Sequence, residues 1–306
     1  MRRARVSSAG VKTPQLPRGL GWCNLRLACS CGGQEGISMP HHYHKLSELR
    51  GPYEHIYLSP HLDDAALACG GTIARYAAEY QPVLVVNICT SAPDPAGPFS
   101  AFAEENHQRW GLNAAQAVTR RLAEDLMALE ILGADSCQLD LFDAIYRMPK
   151  RYDSNSTLFG ALATDDTLLV SLAAPLAELA SRFPDAIIYA PLGVGGHVDH
   201  QASYLAATAL RASGVALAFY EDFPYVAIPG ALDERLNQLG GGELFLQSTI
   251  DIDTYLTRKI SAIEAYISQI GTLFGDVAGL AQRVTAYAEG LRPDSGTYGE
   301  RIWLRK

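Results

Sequence analysis

Residues 59–72 read Ser-Pro-His-Leu-Asp-Asp-Ala-Ala-Leu-Ala-Cys-Gly-Gly-Thr, and they crowd His61, Asp63 and Asp64 into four positions directly after the apolar run Ile56-Tyr57-Leu58. Adjacent carboxylates beside an imidazole repel one another and are costly to desolvate. A fold that sets them at the end of a buried strand needs a cation there, or a carboxylate tuned for proton transfer. The competing explanation is an Asp-Asp helix N-cap, because Asp caps helices well and acidic groups suit a first helical turn.

Far downstream, Pro191-Leu192-Gly193-Val194-Gly195-Gly196-His197-Val198-Asp199-His200 follows another apolar run, Ala186–Ala190. Glycines let the backbone turn sharply and come close to a ligand. His197 and His200 are three apart and lean to one side of a first helical turn, and His61 and Asp64 share that spacing. Both clusters sit where a buried strand gives way to a helix, the carboxyl edge at which open α/β sheets bind ligands. Two such clusters on one edge make coincidental capping a poor explanation. Imidazole and carboxylate donors without thiolate suit Zn²⁺, and also Fe²⁺, Mn²⁺, Co²⁺ or Ni²⁺, and disfavour an all-oxygen calcium site. Two histidines and one carboxylate leave positions open for water and substrate, and the metal acidifies that water and polarises a carbonyl. A leftover carboxylate can serve as general base and a leftover histidine as general acid or oxyanion stabiliser. Hydrolysis of an amide or ester is the natural reaction class.

From about residue 54 onward, short apolar runs alternate with longer helical stretches, the pattern of an α/β layered fold with a mainly parallel sheet. Strands are predicted at 55–59, 82–90, 137–141, 186–190, 216–220 and 244–250. Helices are predicted at 64–79, from about 102 to 132 in one or two parts, at 168–183, at 199–212, and from a cap at Asp251 or Asp253 to about 270. Residues 143–166, with Tyr146, Arg147, Lys150, Arg151 and Tyr152, read as a solvated loop, and His41-His42-Tyr43-His44 as a solvated terminal segment. The expected class is a Rossmann-like α/β three-layer sandwich with its metal site at the carboxyl edge.

Pro-His-Leu-Asp-Asp followed by Gly-Gly, with His-Val-Asp-His downstream, resembles the PIG-L/LmbE family of metal-dependent N-acetylglucosaminyl deacetylases. That family's first motif usually reads His-Pro-Asp-Asp-Glu; here Leu62 replaces the proline and Ala65 the glutamate. The resemblance implies His61, Asp64 and His200 as ligands of Zn²⁺, or of Fe²⁺ or another divalent transition metal. It implies Asp63 as the general base acting on the metal-bound water, His197 as oxyanion stabiliser and aid to protonating the leaving amine, and Asp199 as the group that orients an imidazole. Arg121-Leu122-Ala123-Glu124 resembles the family's Arg-x-x-Glu helix, which implies substrate binding by Arg121; an ordinary i,i+3 surface ion pair is the alternative. Tyr220-Glu221-Asp222-Phe223-Pro224-Tyr225 and Tyr266-Ile267-Ser268-Gln269 also resemble recurring family segments, without assignable chemistry. The resemblance spans about residues 54–270 and implies removal of an N-acetyl group from an amino-sugar-containing substrate. An amidase cleaving a larger N-acyl group or a thiol conjugate is the alternative on the same site.

Composition excludes other classes. A net charge of −8 leaves no basic surplus for nucleic acid. No apolar stretch approaches the roughly 20 residues that span a bilayer, and a soluble, cytoplasmic protein is expected, with a small-molecule substrate and room for homo-oligomerisation. Cys69, Cys89 and Cys137 lie in apolar contexts and read as reduced thiols; Cys23, Cys29 and Cys31 match no zinc spacing. Gly193-x-Gly195 is an incomplete dinucleotide fingerprint, lacking the third glycine three positions on. A catalytically silent sugar-binding module would not need the candidate base and ligands intact. Residues 1–38 are basic and lack a helical or strand period, so they read as an unstructured extension or a mis-called start, with residues 39–306 forming one deacetylase-like domain. Deleting residues 1–38 is expected to leave folding and activity intact; a truncated chain that unfolds would contradict this reading.

Overall fold

The computed structural model describes residues 39–306; the extension expected over 1–38, with Cys23, Cys29 and Cys31, lies outside the described residues. The strands are β1 (His42–Tyr43), β2 (His55–Ser59), β3 (Val83–Asn87), β4 (Asp135–Gln138), β5 (Ile187–Pro191), β6 (Ala216–Tyr220), β7 (Phe245–Asp251) and β8 (Gly299–Arg305). They lie in one sheet in the order β1-β4-β3-β2-β5-β6-β8-β7. Strands β1 to β6 are parallel, and β8 runs antiparallel to both β6 and β7. The helices are α1 (Asp64–Ala78), α2 (Ala101–Trp110), α3 (Ala114–Leu132), α4 (Ala144–Arg147), α5 (Asn155–Leu158), α6 (Leu168–Arg182), α7 (Val198–Ala209), α8 (Ala231–Gln238), α9 (Leu256–Glu264), α10 (Ile267–Phe274) and α11 (Val277–Gly290).

Central strands that carry apolar residues on both alternating faces imply cover on both sides, and alternate residues do meet different helices. Ile56 and Leu58 of β2, Leu84 and Val86 of β3, and Ile188 of β5 pack with Leu172, Leu176 and Leu179 of α6 and Ala202 and Ala206 of α7. Their neighbours Tyr57, Val85 and Tyr189 pack instead with Ala66 and Ile73 of α1, Ala128 and Leu132 of α3 and Ala262 of α9. This is the expected three-layer α/β arrangement. The chain steps outward from β2 through β3 to β4 on one side and from β5 to β6 on the other, so strand order reverses between β2 and β5. That switch point opens a crevice at the carboxyl edge, and both His/Asp clusters leave the sheet there.

Several elements differ from the sequence expectations. Residues 42–43, read as solvated, form β1 and pair with Ser136 and Cys137 of β4. The strand expected at 137–141 starts at Asp135, where Gly133 at φ 83° ends α3 by a left-handed turn. The stretch 143–166 contains α4 and α5 and is not simply solvated: Tyr152 is buried, and Arg147 is held between two carboxylates. Helix α7 starts at Val198, one residue before the expected position, because His197 takes the capping position. The helix expected to reach 270 breaks into α9 and α10 at Ala265–Tyr266. Strand β8, which pairs β7 along its whole length, was not anticipated, nor were α8 and α11.

The closing strand is fastened by a buried charge pair. Lys259 Nζ lies 2.6 Å from Glu300 Oε1, and Glu300 also accepts from the amides of Gly71 (2.9 Å) and Thr72 (2.7 Å) within α1. The pair Gly70-Gly71 admits this packing, since a Cβ on Gly71 would meet Ile252 at 2.7 Å and one on Gly70 would meet Lys259 at 3.0 Å. Removing one partner of such a pair strands the other in low dielectric. Glu300→Ala is therefore expected to cost about 3–5 kcal/mol in urea unfolding; a cost below about 1 kcal/mol would contradict this role.

Candidate active site

The turn from β2 into α1 is built so that the two aspartates diverge. Ser59 Oγ donates to His61 O (2.7 Å) and accepts from Ala65 N (3.1 Å), which fixes the tight path between strand and helix. Asp63 takes the N-cap position but makes no side-chain cap hydrogen bond, so the capping explanation of the Asp-Asp pair does not hold. Its φ of 148° is one that L-residues seldom adopt; such strain persists where the surroundings over-determine it, often at functional sites. Asp64, the first helical residue, accepts from its own turn, His61 N to Oδ2 at 2.8 Å.

Across the switch point, Gly193 (φ 83°) and Gly195 (φ 85°) carry the β5–α7 turn, and a Cβ on Gly195 would fall 2.6 Å from Tyr225 Cβ. This close approach brings His200 onto His61 and Asp64. His61 Nδ1 lies 3.2 Å from Asp64 Oδ2, His200 Nε2 lies 3.3 Å from the same oxygen, and the two ring nitrogens are 3.3 Å apart. Three donor atoms thus form a nearly equilateral triangle.

Hydrogen bonds on the far side of each ring set what the triangle offers. His61 Nε2 lies 3.1 Å from Asp199 Oδ2, and His200 Nδ1 lies 2.7 Å from Asp222 Oδ1. Carboxylates only accept, so each histidine keeps a proton on its outward nitrogen; without a cation the inward nitrogens carry protons toward Asp64, and a cation in their place leaves each ring a lone pair to turn inward. The inward atoms, two ring nitrogens and a carboxylate oxygen, form an arrangement that attracts positive charge, as protons on the rings or as a cation. Burial alone would make His200 less basic, but Asp64 and Asp222 push it up to about 9. Burial likewise opposes ionisation of Asp64, yet the adjoining histidines hold its carboxyl well below the usual range. Donor separations of about 3.0–3.4 Å are the edges of a tetrahedral or facial set at bond lengths near 2.0–2.2 Å, so the residues fit a divalent ion. His61, His197 and His200 also bring ring nitrogens within 4.8 Å of one another, but His197 Nδ1 is engaged as the α7 cap, accepting from Asp199 N at 3.2 Å. The Asp64 set is the tighter one.

Both orienting carboxylates are themselves anchored. Asp222 Oδ2 accepts from the amides of Gly193 and Val194, each at 2.8 Å. Asp199 Oδ1 accepts from Arg147 Nη2 at 2.6 Å, and Arg147 is gripped in turn by Asp166 through two bonds of 2.8 Å. Burial works against the Asp199 charge, but the His61 hydrogen bond and Arg147 keep its carboxyl well below the ordinary value. Sequence reading found Asp199 and missed Asp222, Arg147 and Asp166. The available signal for Asp222 was its place just past a buried strand on the same edge.

The cavity next to the triangle, about 280 Å³, is lined by His61, Asp63, Asp64, Arg121 and His197 of the predicted set, with Asp143 beside them. His200 and Asp199 lie behind this wall, 1% and 0% exposed. Asp63 differs sharply from Asp64: burial raises its carboxyl to about 7, against the opposing pull of Arg121. Arg121 Nη2 is 3.4 Å from Asp63 Oδ2 and 3.2 Å from Leu62 O, and its Nε is buried without a hydrogen-bond partner among the described residues. The alternative Arg121–Glu124 ion pair is not formed. Glu124 instead meets Arg120 (3.0 Å) and the start of α10 at Ser268 (2.6 Å to Oγ). His197 is kept neutral: burial, then the neighbouring His61, holds its ring well below the ordinary value. Phe102, Phe159, Tyr225 and Leu273 give the rest of the cavity an apolar wall. Ala65 is buried among the alanines of α1 and supplies no oxygen to the site.

The family profile described as PIG-L: GlcNAc-PI de-N-acetylase matches residues 56–210, half of the chain. The chain belongs to the PIG-L family. Relatives of this PIG-L chain include the 2'-N-acetylparomamine deacetylase of Streptomyces fradiae, 27% identical over 81% of this chain and 88% of that protein. Among solved structures, a deacetylase–bog complex from the teicoplanin biosynthesis pathway is 28% identical, with a TM-score of 0.70 over 82% of this chain and 98% of its own. The zinc-inhibited form of teicoplanin deacetylase is 27% identical, with a TM-score of 0.67 over the same 82% and 98%. These relatives are named as deacetylases, hydrolases of amide C–N bonds.

The anchored hydrogen bonds generate a direct expectation for this PIG-L site. Asp222→Asn is expected to weaken divalent-metal binding about 10–100-fold in chelator competition, the usual cost of losing a carboxylate that orients a ligand histidine. Unchanged affinity would contradict the role given to Asp222.

Proposed function

We propose that this chain is a metal-dependent hydrolase that removes an N-acetyl group from an amino-sugar-containing substrate. The reading rests on the triangle of inward-facing donors at His61 Nδ1, Asp64 Oδ2 and His200 Nε2, whose tautomers are fixed from behind by Asp199 and Asp222. These three residues would hold the ion. When bound, a divalent cation supplies Lewis acidity, acidifying water and polarising the amide carbonyl.

The chain's own groups carry the proton transfers. Asp63, raised to about 7 by burial, takes a proton from the attacking water at its carboxylate; a base whose basicity lies near the working pH is the effective choice. His197, with Nδ1 occupied as the helix cap, carries its proton on Nε2 and donates it as a hydrogen bond to the carbonyl oxygen as negative charge develops. Protonated Asp63 returns its proton to the departing amine. Arg121 offers its remaining N–H groups to the substrate and steadies Asp63 once it is charged. Asp199 orients His61 and stays ionised throughout. Phe159 and Tyr225 offer flat apolar faces against which a sugar ring packs.

Zn²⁺ suits the donors, and Fe²⁺ or another divalent transition metal suits them as well. Because one solved relative is a zinc-inhibited form, the metal arms of any assay include both. The apolar wall also fits a larger N-acyl group, so the substrate panel pairs N-acetyl sugars with longer N-acyl analogues. Free Cys69, Cys89 and Cys137 favour a reducing, cytoplasmic setting. Among the described residues no helix is long and apolar enough to cross a membrane.

Asp63→Asn is expected to keep its metal and lower kcat for acetate release roughly 10²–10⁴-fold, the range for removing a general base. Turnover at the wild-type rate would take Asp63 out of that role. Chelated protein is expected to release no acetate until metal is restored; full activity without metal would sink the proposal.

A further inference from the structure

His61 uses one edge of its ring for the triangle, and its other edge faces a second set of donors. Nε2 lies 3.1 Å from Asp199 Oδ2 and 3.6 Å from Asp143 Oδ2. His61, Cys89 and Asp199 each bring one donor atom within 4.8 Å of the other two. Cys89 follows β3, and its amide donates to Pro60 O at 2.9 Å, which pins it beside the turn that carries His61. It is a free cysteine, partly buried as a residue. Asp143 lines the cavity with a side chain 21% exposed, so an ion can reach the group from the cavity.

We propose that His61 Nε2, Cys89 Sγ and the carboxylates of Asp143 and Asp199 form a second cation site, one for a thiophilic divalent ion such as Zn²⁺ or Cd²⁺. The donor set is one nitrogen, one sulfur and two oxygens, which suits tetrahedral binding of a borderline or soft metal and sets it apart from the sulfur-free triangle. Binding displaces the thiol proton of Cys89 and the Nε2 proton of His61, both of which leave to solvent, and four donor-to-metal bonds replace the Nε2–H···Asp199 hydrogen bond. Two negative carboxylates favour the ion. Arg147, 2.6 Å from the other oxygen of Asp199, and the Ala144 amide, which donates to Asp199 Oδ2 at 3.1 Å, oppose it, so this site is weaker than the triangle and fills only in excess metal. Filling it takes Asp199 away from orienting His61, and excess thiophilic metal is therefore inhibitory. The burial of Cys89 and the charges of Asp199 and Asp143, which push its thiol up, keep it protonated until a cation arrives.

The test compares wild-type protein, Cys89→Ser and Cys89→Ala, each preloaded with one equivalent of Zn²⁺ and titrated with Cd²⁺. The readouts are near-ultraviolet thiolate-to-cadmium absorbance and bound metal. Wild type is expected to bind one equivalent more than either variant and to show a thiolate band that both lack; taking the difference removes any contribution from Cys23, Cys29 and Cys31. Superimposable titrations overturn the proposal, as does a second equivalent bound equally by Cys89→Ser. Acetate release adds an independent arm: excess metal inhibits wild type at least tenfold more strongly than Cys89→Ser. Failure of the deacetylase reading would remove this arm and leave the absorbance comparison decisive.

Discussion

The hydrogen bonds from His61 Nε2 to Asp199 and from His200 Nδ1 to Asp222 fix the direction in which both imidazoles turn their lone pairs. Without them each ring could present a proton or a lone pair to the cavity, and the meeting with Asp64 would be an ordinary hydrogen-bond cluster. With them, two ring nitrogens and the Asp64 oxygen converge at separations of 3.2–3.3 Å, and a cation there meets three acceptors. A set of converging acceptors is costly to bury unless something positive joins it. The anchors behind Asp199 and Asp222 differ, an arginine and the Ala144 amide for one and two backbone amides for the other, so the two histidines do not sit in equivalent fields.

The fold brings these atoms together from opposite sides of the strand-order reversal. Helices on both faces bury β2 throughout and β5 from Ile188 onward, and the loops that leave these strands enter the crevice. Close approach at Gly195 lets the second loop sit against Tyr225. The backbone at Asp63 turns two chemically identical neighbours into different groups. Asp64 points into the histidines and stays strongly acidic; Asp63 points to Arg121 and is raised to about 7. In the proposed function one dipeptide therefore supplies a ligand and a base.

Strand β2, helix α1 and the two His/Asp clusters were legible in the sequence because each is a contiguous pattern: an apolar run, then donors at helical spacing. β6 was predicted with its exact observed limits for the same reason. What sequence did not reveal depends on contacts between distant segments. Asp222 looks like any loop acid until Gly193, Val194 and His200 fold onto it. Arg147 looks like a surface arginine until Asp166 and Asp199 close around it. The two-residue β1 is too short to carry a period, and β8 mixes charged with apolar residues because Glu300 serves Lys259 and the middle of α1. The Gly-Gly pair after the first motif was visible, but its purpose, close packing by Ile252 and Lys259, was not.

The absence of the family's usual glutamate at Ala65 leaves the triangle and its anchors intact, since that position is buried among small residues of α1. The central claim is therefore about three atoms. Anomalous X-ray diffraction from crystals of the protein loaded with one equivalent of Zn²⁺ or Fe²⁺ tests it most directly. The account predicts a single strong anomalous peak about 2.0–2.2 Å from His61 Nδ1, Asp64 Oδ2 and His200 Nε2. A peak bound by His197 in place of Asp64, or no ordered ion at the β2–β5 switch point, would contradict it.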